Sequence, residues 1–236
     1  MLSASIEDYI KTIYALEAEH AKATTKEIAD RLEVKMASVT GMMKHLAAEG
    51  YVKHTPYRGV QLTVRGRQVA LGMIRRHRLI ELFLCQTLGL SWDAVHADAE
   101  RLEHVVSDNL VERMYDYLGR PEFDPHGSPI PAKDGTIAPP RGVRLDKMDV
   151  GSLGEIVEVA DRDPSFLRYL TDLGLGIGTK FEIQERAPFN GPIQLAVDNR
   201  QVSIGHEAGS RIRAAPWGRA PEEEARRRLR RKRTKN

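Results

Sequence analysis

Cysteine is almost missing. Cys85 is the only one in 236 residues, which excludes a disulfide framework and a cysteine-rich zinc module. No apolar run approaches the roughly 18 residues of a membrane-spanning helix, so a spanning protein is excluded as well. The N-terminal stretch MLSASIEDYIKTIY carries acids early and lacks the basic-then-apolar order of a secretory signal, which points to the cytoplasm. Signatures of several enzyme classes are also lacking. There is no Gly-x-Ser-x-Gly, no phosphate-cradling glycine loop and no His-Glu-x-x-His. The Glu-x-x-His pattern of the di-iron type fails in the acidic middle, because Ile74 stands three residues before His77 and Arg101 three before His104. Cys85 follows Leu82, Phe83 and Leu84 and reads as core rather than as a nucleophile.

Net charge is small, at +3, but it is unevenly spread. Residues 1–75 hold 11 basic against 8 acidic residues, 76–221 hold 17 against 22, and 222–236 hold 8 against 3. A basic front, an acidic middle and a basic tail imply different work for each part. The length suits two or three modest domains.

Residues 3–20 carry Ile6, Ile10, Ile13, Tyr14 and Leu16 at helical spacing, with Ser3 or Ser5 as N-cap. Thr24 and Glu27 form a capping-box pattern that opens a second helix. A third helix runs from Ser38 to Glu49 and stops at Gly50. Two alternating runs, 51–54 and 60–63, flank Pro56-Tyr57-Arg58-Gly59 and read as a hairpin. This is the plan of a winged helix-turn-helix. Its third helix would offer Lys35, Ser38, Thr40 and Lys44 to base edges, and its hairpin tip Tyr57 and Arg58 to phosphates or the minor groove. The plain alternative is an adaptor that uses the same fold without DNA.

Beyond it, a helix is expected from Arg65 to Leu84 and another from about Trp92 to Leu118, with apolar faces wide enough to call for a homodimer. Residues 119–142 are rich in Pro and Gly and read as a linker. Short β-like runs at 154–159, 180–184, 193–197 and 201–204, with a helix near 164–173, suggest a small barrel. The last segment, EEEARRRLRRKRTKN, is too charged to fold alone. It reads either as a nonspecific DNA contact or as a solvated terminus.

The acidic middle carries the chemistry. Glu100, Glu103 and His104 fall at i, i+3 and i+4, with His96 one turn earlier, and His77 and Glu81 are spaced i, i+4 on the preceding helix. Considered in pairs, such residues are ordinary salted surfaces, with Arg78 and Arg101 as partners. Six in phase on two neighbouring helices instead suggest divalent cations, since unpaired buried charge is costly. Carboxylate and imidazole without thiolate favour Mn²⁺ or Fe²⁺, and the ligands suffice for two sites.

A winged helix followed by His77-x3-Glu81 and His96-x3-Glu100-x2-Glu103-His104 resembles the diphtheria toxin repressor family, with its manganese transport regulator branch. Glu7-Asp8-Tyr9-Ile10, Arg76-His77-Arg78-Leu79 and Glu103-His104 carry the likeness together. The resemblance implies an α+β multidomain chain. Its parts are a winged helix-turn-helix over 1–75, a helical metal-binding and dimerisation domain over 76–140, an SH3-like (FeoA-type) barrel over 141–216 and a basic tail over 217–236. It implies a primary metal site of Asp8, Glu100, Glu103 and His104, and an ancillary site of His77, Glu81 and His96 joined by Asp163 or its neighbour Asp161. Carboxylates at Asp8 and Glu100, where the iron-responsive members have Met and Cys, favour Mn²⁺ over Fe²⁺. The chain departs from the manganese branch at Lys11, where that branch has Glu. It departs from the wider family at Gly41, where the usual base-contacting glutamine would fall, and at Phe166 in place of a ligating glutamine. The expected function is a repressor of metal-uptake genes that binds palindromic double-stranded operator DNA as a homodimer when metal is bound, with no membrane and no small organic substrate involved. A metalloenzyme is the competing reading, but no general acid or base stands apart from the ligands.

Overall fold

The structure is a computed structural model and describes residues 2–20, 22–55 and 59–217. The chain is an α+β multidomain protein that divides into two compact units. One comprises residues 1–83, 97–122 and 130–138, the other 84–96, 123–129 and 139 onward.

The first unit opens with α1 (Ala4–Glu19), capped by the Ser3 side chain, which accepts from the Ile6 N–H. Its buried stripe of Tyr9, Ile10, Ile13 and Leu16 packs with Ile28, Val39, Met43 and Leu46. Those residues come from α2 (Thr25–Leu32) and α3 (Met36–Ala48). The capping box at Thr24 and Glu27 forms in full, each side chain accepting from the other's backbone N–H. Gly50 ends the helical run with φ of +77°, a conformation that favours glycine. Strands β1 (Val52–Thr55) and β2 (Gly59–Leu62) pair antiparallel, Val52 opposite Leu62. Ala23 bridges to Val60 and adds a third short element to the wing. Tyr57 and Arg58, the hairpin-tip candidates, lie outside the described residues, as does the basic tail.

Helix α4 (Val64–Leu88) follows without a break. The single helix expected over 92–118 is two: α5 (Val95–Leu102) and α6 (Asp108–Tyr117). The Ser107 side chain accepts from the Leu110 N–H at 3.3 Å, so it caps α6 and turns the chain between them. Leu79, Leu82, Val111 and Ile130 form the core there.

In the second unit, residues 123–129 of the expected linker prove to be built structure. Within it, Asp124 Oδ1 accepts from the His126 and Ser128 N–H groups, both at 2.9 Å, and closes a buried turn. Gly127 sits in that turn at φ +86°, where a Cβ would meet the Val157 carbonyl at 1.9 Å. Only glycine fits. The rest is a six-stranded antiparallel sheet in the order β3-β8-β4-β5-β6-β7. Its strands are β3 (Val143–Arg144), β4 (Leu153–Val159), β5 (Lys180–Arg186), β6 (Ile193–Val197), β7 (Arg200–Ile204) and β8 (Ile212–Pro216). Two helices accompany it, α7 (Pro164–Asp172) and α8 (His206–Ser210). Ile156, Leu167, Leu170, Ile183, Ile193, Leu195 and Ile212 are fully buried inside it. Among the described residues no helix is long and apolar enough to cross a membrane.

Candidate metal centre

Helix α1 directs Glu7, Asp8 and Lys11 toward the turn that follows α5, where Glu103 and His104 stand. This turn is held from α4 by Arg76. One guanidinium nitrogen donates to the Glu103 carbonyl and the other to the Asp108 carboxylate, both at 2.8 Å. Arg76 thereby joins the end of α5 to the start of α6, a role its place in the sequence did not reveal.

Asp8, Glu103 and His104 each bring one ligand atom within 4.8 Å of the others. His104 Nε2 lies 3.1 Å from Asp8 Oδ1 and 3.8 Å from Glu103 Oε1. Glu103 is fully buried. Burial opposes its charge, but hydrogen bonds from His77 and Lys11 hold its pKa below the ordinary carboxylate range. Asp8 shifts the other way. Burial raises it, His104 works against that, and Glu100 and Glu103 add to it. Two oxygens and an imidazole nitrogen that converge around crowded negative charge fit a hard or borderline divalent cation.

Lys11 enters the same cluster. Its Nζ lies 2.7 Å from Glu100 Oε1, and 2.8 and 3.1 Å from the two oxygens of Glu103. Burial works against the ammonium, yet the two carboxylates keep its pKa above the usual lysine value. His77 donates from both ring nitrogens, to Glu103 at 2.6 Å and to Glu81 at 3.0 Å. Burial alone would lower its pKa, but these bonds carry it up to about 9. Lys11 and His77 thus act as counter-charges of Glu81, Glu100 and Glu103. His96 belongs to the second unit and occupies the first turn of α5, one turn before Glu100.

The second unit places Asp163 at the N-cap of α7. There its carboxylate accepts from the Ser165 and Phe166 N–H groups and from Arg211. The Ser165 hydroxyl bond leads the interactions that hold its pKa at about 2. Asp161 is placed differently, within 4.8 Å of ligand atoms of Asp124 and His126. His126 is fully buried, and its Nε2 donates to the Trp92 carbonyl at 2.7 Å. A carbonyl can only accept, so a neutral His126 keeps its lone pair on Nδ1. Asp124 and His126 went unnoticed in the sequence because they lie in a Pro- and Gly-rich stretch read as linker.

On α3, Ser38, Thr40 and Lys44 are exposed and Lys35 stands at the N-cap position. The Thr40 hydroxyl donates to the Met36 carbonyl at 3.0 Å, so it is engaged within the helix.

Three family models match in succession. Residues 1–60 match the iron dependent repressor N-terminal DNA binding domain, 63–132 the iron dependent repressor metal binding and dimerisation domain, and 143–216 the FeoA domain. The iron-dependent repressor IdeR of Mycobacterium leprae is 30% identical over 219 residues, covering 88% of this chain and 95% of the relative. The chain belongs to the iron-dependent repressor family. Members of this family are metal-dependent, DNA-binding transcriptional repressors rather than enzymes, and that coarse function holds for this chain. The diphtheria toxin repressor of Corynebacterium glutamicum is 33% identical over 187 residues, 75% of this chain and 82% of that one. Among solved structures, a manganese-dependent transcriptional repressor in complex with manganese superposes with a TM-score of 0.82 at 37% identity, covering 90% of this chain and all of that one. ScaR with bound Cd²⁺ superposes at 0.78 with 33% identity, covering 90% and 99%.

Proposed function

We propose that this repressor responds to Mn²⁺ in preference to Fe²⁺, and that Asp8 links its DNA-binding helices to the metal centre. The observation that carries this reading is the convergence of Asp8, Glu103 and His104. Asp8 comes from α1, which packs on the helix-turn-helix core through Ile10 and Ile13, whereas Glu103 and His104 come from the turn after α5. A bound divalent cation supplies the positive charge that lets these groups share one point, with Glu100 beside them. Carboxylates at positions 8 and 100 favour the harder ion.

The remaining residues divide the work. Arg76 fixes the turn, and α1 transmits the position of Asp8 to α3, whose exposed Lys35, Ser38, Thr40 and Lys44 face DNA. Exposed Leu102, Val105, Leu110 and Tyr117 supply apolar surface for a homodimer, which would set two recognition helices on a palindromic operator. A second ion has a candidate site at Asp124, His126 and Asp161 in the second unit.

Calorimetric titration of the metal-free chain with Mn²⁺ and Fe²⁺, with and without operator DNA, tests the reading. Coupling is reciprocal, so DNA should tighten Mn²⁺ binding by the same factor that Mn²⁺ tightens DNA binding. Equal enhancement by Fe²⁺ would remove the manganese preference, and no enhancement by either ion would remove the linkage.

A further inference from the structure

Glu7 is nearly buried, with 7% of its surface exposed, although a carboxylate on the first helix could face solvent. Its Oε2 lies 2.9 Å from His104 Nδ1. A carboxylate at this distance accepts, so Nδ1 carries the proton. The two nitrogens of the ring point apart, and Nε2 is the one 3.1 Å from Asp8. Neighbouring residues of α1 therefore hold opposite edges of one imidazole.

We infer that Glu7 is the positioning residue of the metal centre: its bond to Nδ1–H makes Nε2 the metal-facing nitrogen and orients the ring toward Asp8 and Glu103. The inference rests on the proposed site of Asp8, Glu103 and His104. A histidine offers a metal a lone pair on one nitrogen, and the hydrogen bond at the other nitrogen decides which one and fixes the ring plane. A carboxylate in that second position also makes the imidazole a stronger donor. With Lys11 bonded to Glu103, α1 engages the metal-binding turn at three points: directly through Asp8 and Lys11, and through the ring by Glu7.

The test uses the full chain with Glu7→Ala and Glu7→Gln, and with Asp8→Ala and His104→Ala as references. In the metal-free parent, ring ¹⁵N shifts of His104 should show the proton on Nδ1. Glu7→Ala should lose that signature and bind Mn²⁺ about 10- to 100-fold more weakly, the usual cost of removing such a partner. Glu7→Gln, whose amide oxygen can accept the same bond, should recover part of both. Thermal melts of each metal-free variant establish that it is folded. If Asp8→Ala and His104→Ala leave Mn²⁺ binding unchanged, the proposed site itself is wrong. If they abolish binding while a folded Glu7→Ala keeps the parent's ring shifts and affinity, Glu7 has no positioning role.

Discussion

Lys11 Nζ lies 2.8 Å from Oε1 of the fully buried Glu103, so a helix of the DNA-binding part is joined to the metal-binding turn by an ion pair. The ammonium also reaches Glu100 at 2.7 Å. Removing one partner from a buried pair leaves an uncompensated charge. His77 also pairs Glu103, which softens the loss. Lys11→Met should therefore destabilise the metal-free protein by about 1–3 kcal/mol in urea unfolding. Saturating Mn²⁺ should restore much of that, because an ion supplies the missing positive charge. Equal destabilisation with and without Mn²⁺ would deny this electrostatic account.

His77 makes the stability of the metal-free chain depend on pH. Its pKa is raised to about 9 in the folded protein, above the ordinary value of 6.5. The folded state thus binds the proton more tightly than the unfolded state. Its contribution is complete below about pH 6.5 and is lost as pH rises through about 9. Melting temperatures measured from pH 6 to 9.5 should fall over that window, and the His77→Gln variant should show a flatter profile.

Ser107 caps α6 and ends the turn that carries Glu103 and His104. Ser107→Ala should cost about 1 kcal/mol of stability. It should also weaken Mn²⁺ binding, since the turn loses one of its anchors. Calorimetry of the two proteins checks both effects, and intact affinity would mean that Arg76 alone suffices to hold the turn.

Asp161 and Asp163 are two residues apart but have different surroundings. Asp163→Ala removes the α7 cap and its bonds with Ser165 and Arg211, so it should lower the melting temperature and leave the bound-metal count unchanged. Asp161→Asn should lower the count at the Asp124–His126–Asp161 site while the fold persists. Elemental analysis of the two purified variants after Mn²⁺ loading distinguishes them.

The first helices were legible because their signals are local. Ser3 and the Thr24–Glu27 box mark starts, Gly50 marks a stop, and the Ile10–Ile13–Leu16 stripe marks a buried face. The break between α5 and α6 was hidden because apolar spacing continues through Val105 and Leu110, and Ser107 was passed over as a cap. Composition misled at 119–142. Proline and glycine there build a buried turn around Asp124 and His126, and burial arises from tertiary packing that no local window displays. Strand β8, with Arg213 and Ala215 alternating with buried Ile212 and Ala214, was too short and too plain to read. At the metal centre the ligand residue types were visible, but the partners that α1 contributes to them were not. Lys11 and Glu7 come from a helix distant in sequence, and their partners depend on how α1 meets the turn after α5.

Asp8 is proposed to make DNA affinity depend on metal. Fluorescence anisotropy of a labelled duplex, selected from random sequence by the Mn²⁺-loaded parent, measures this directly. The parent should bind the duplex at least tenfold more tightly when Mn²⁺ is added, and a folded, dimeric Asp8→Ala variant should bind it equally weakly with and without the ion. An Asp8→Ala variant that gains as much affinity from Mn²⁺ as the parent would contradict the account.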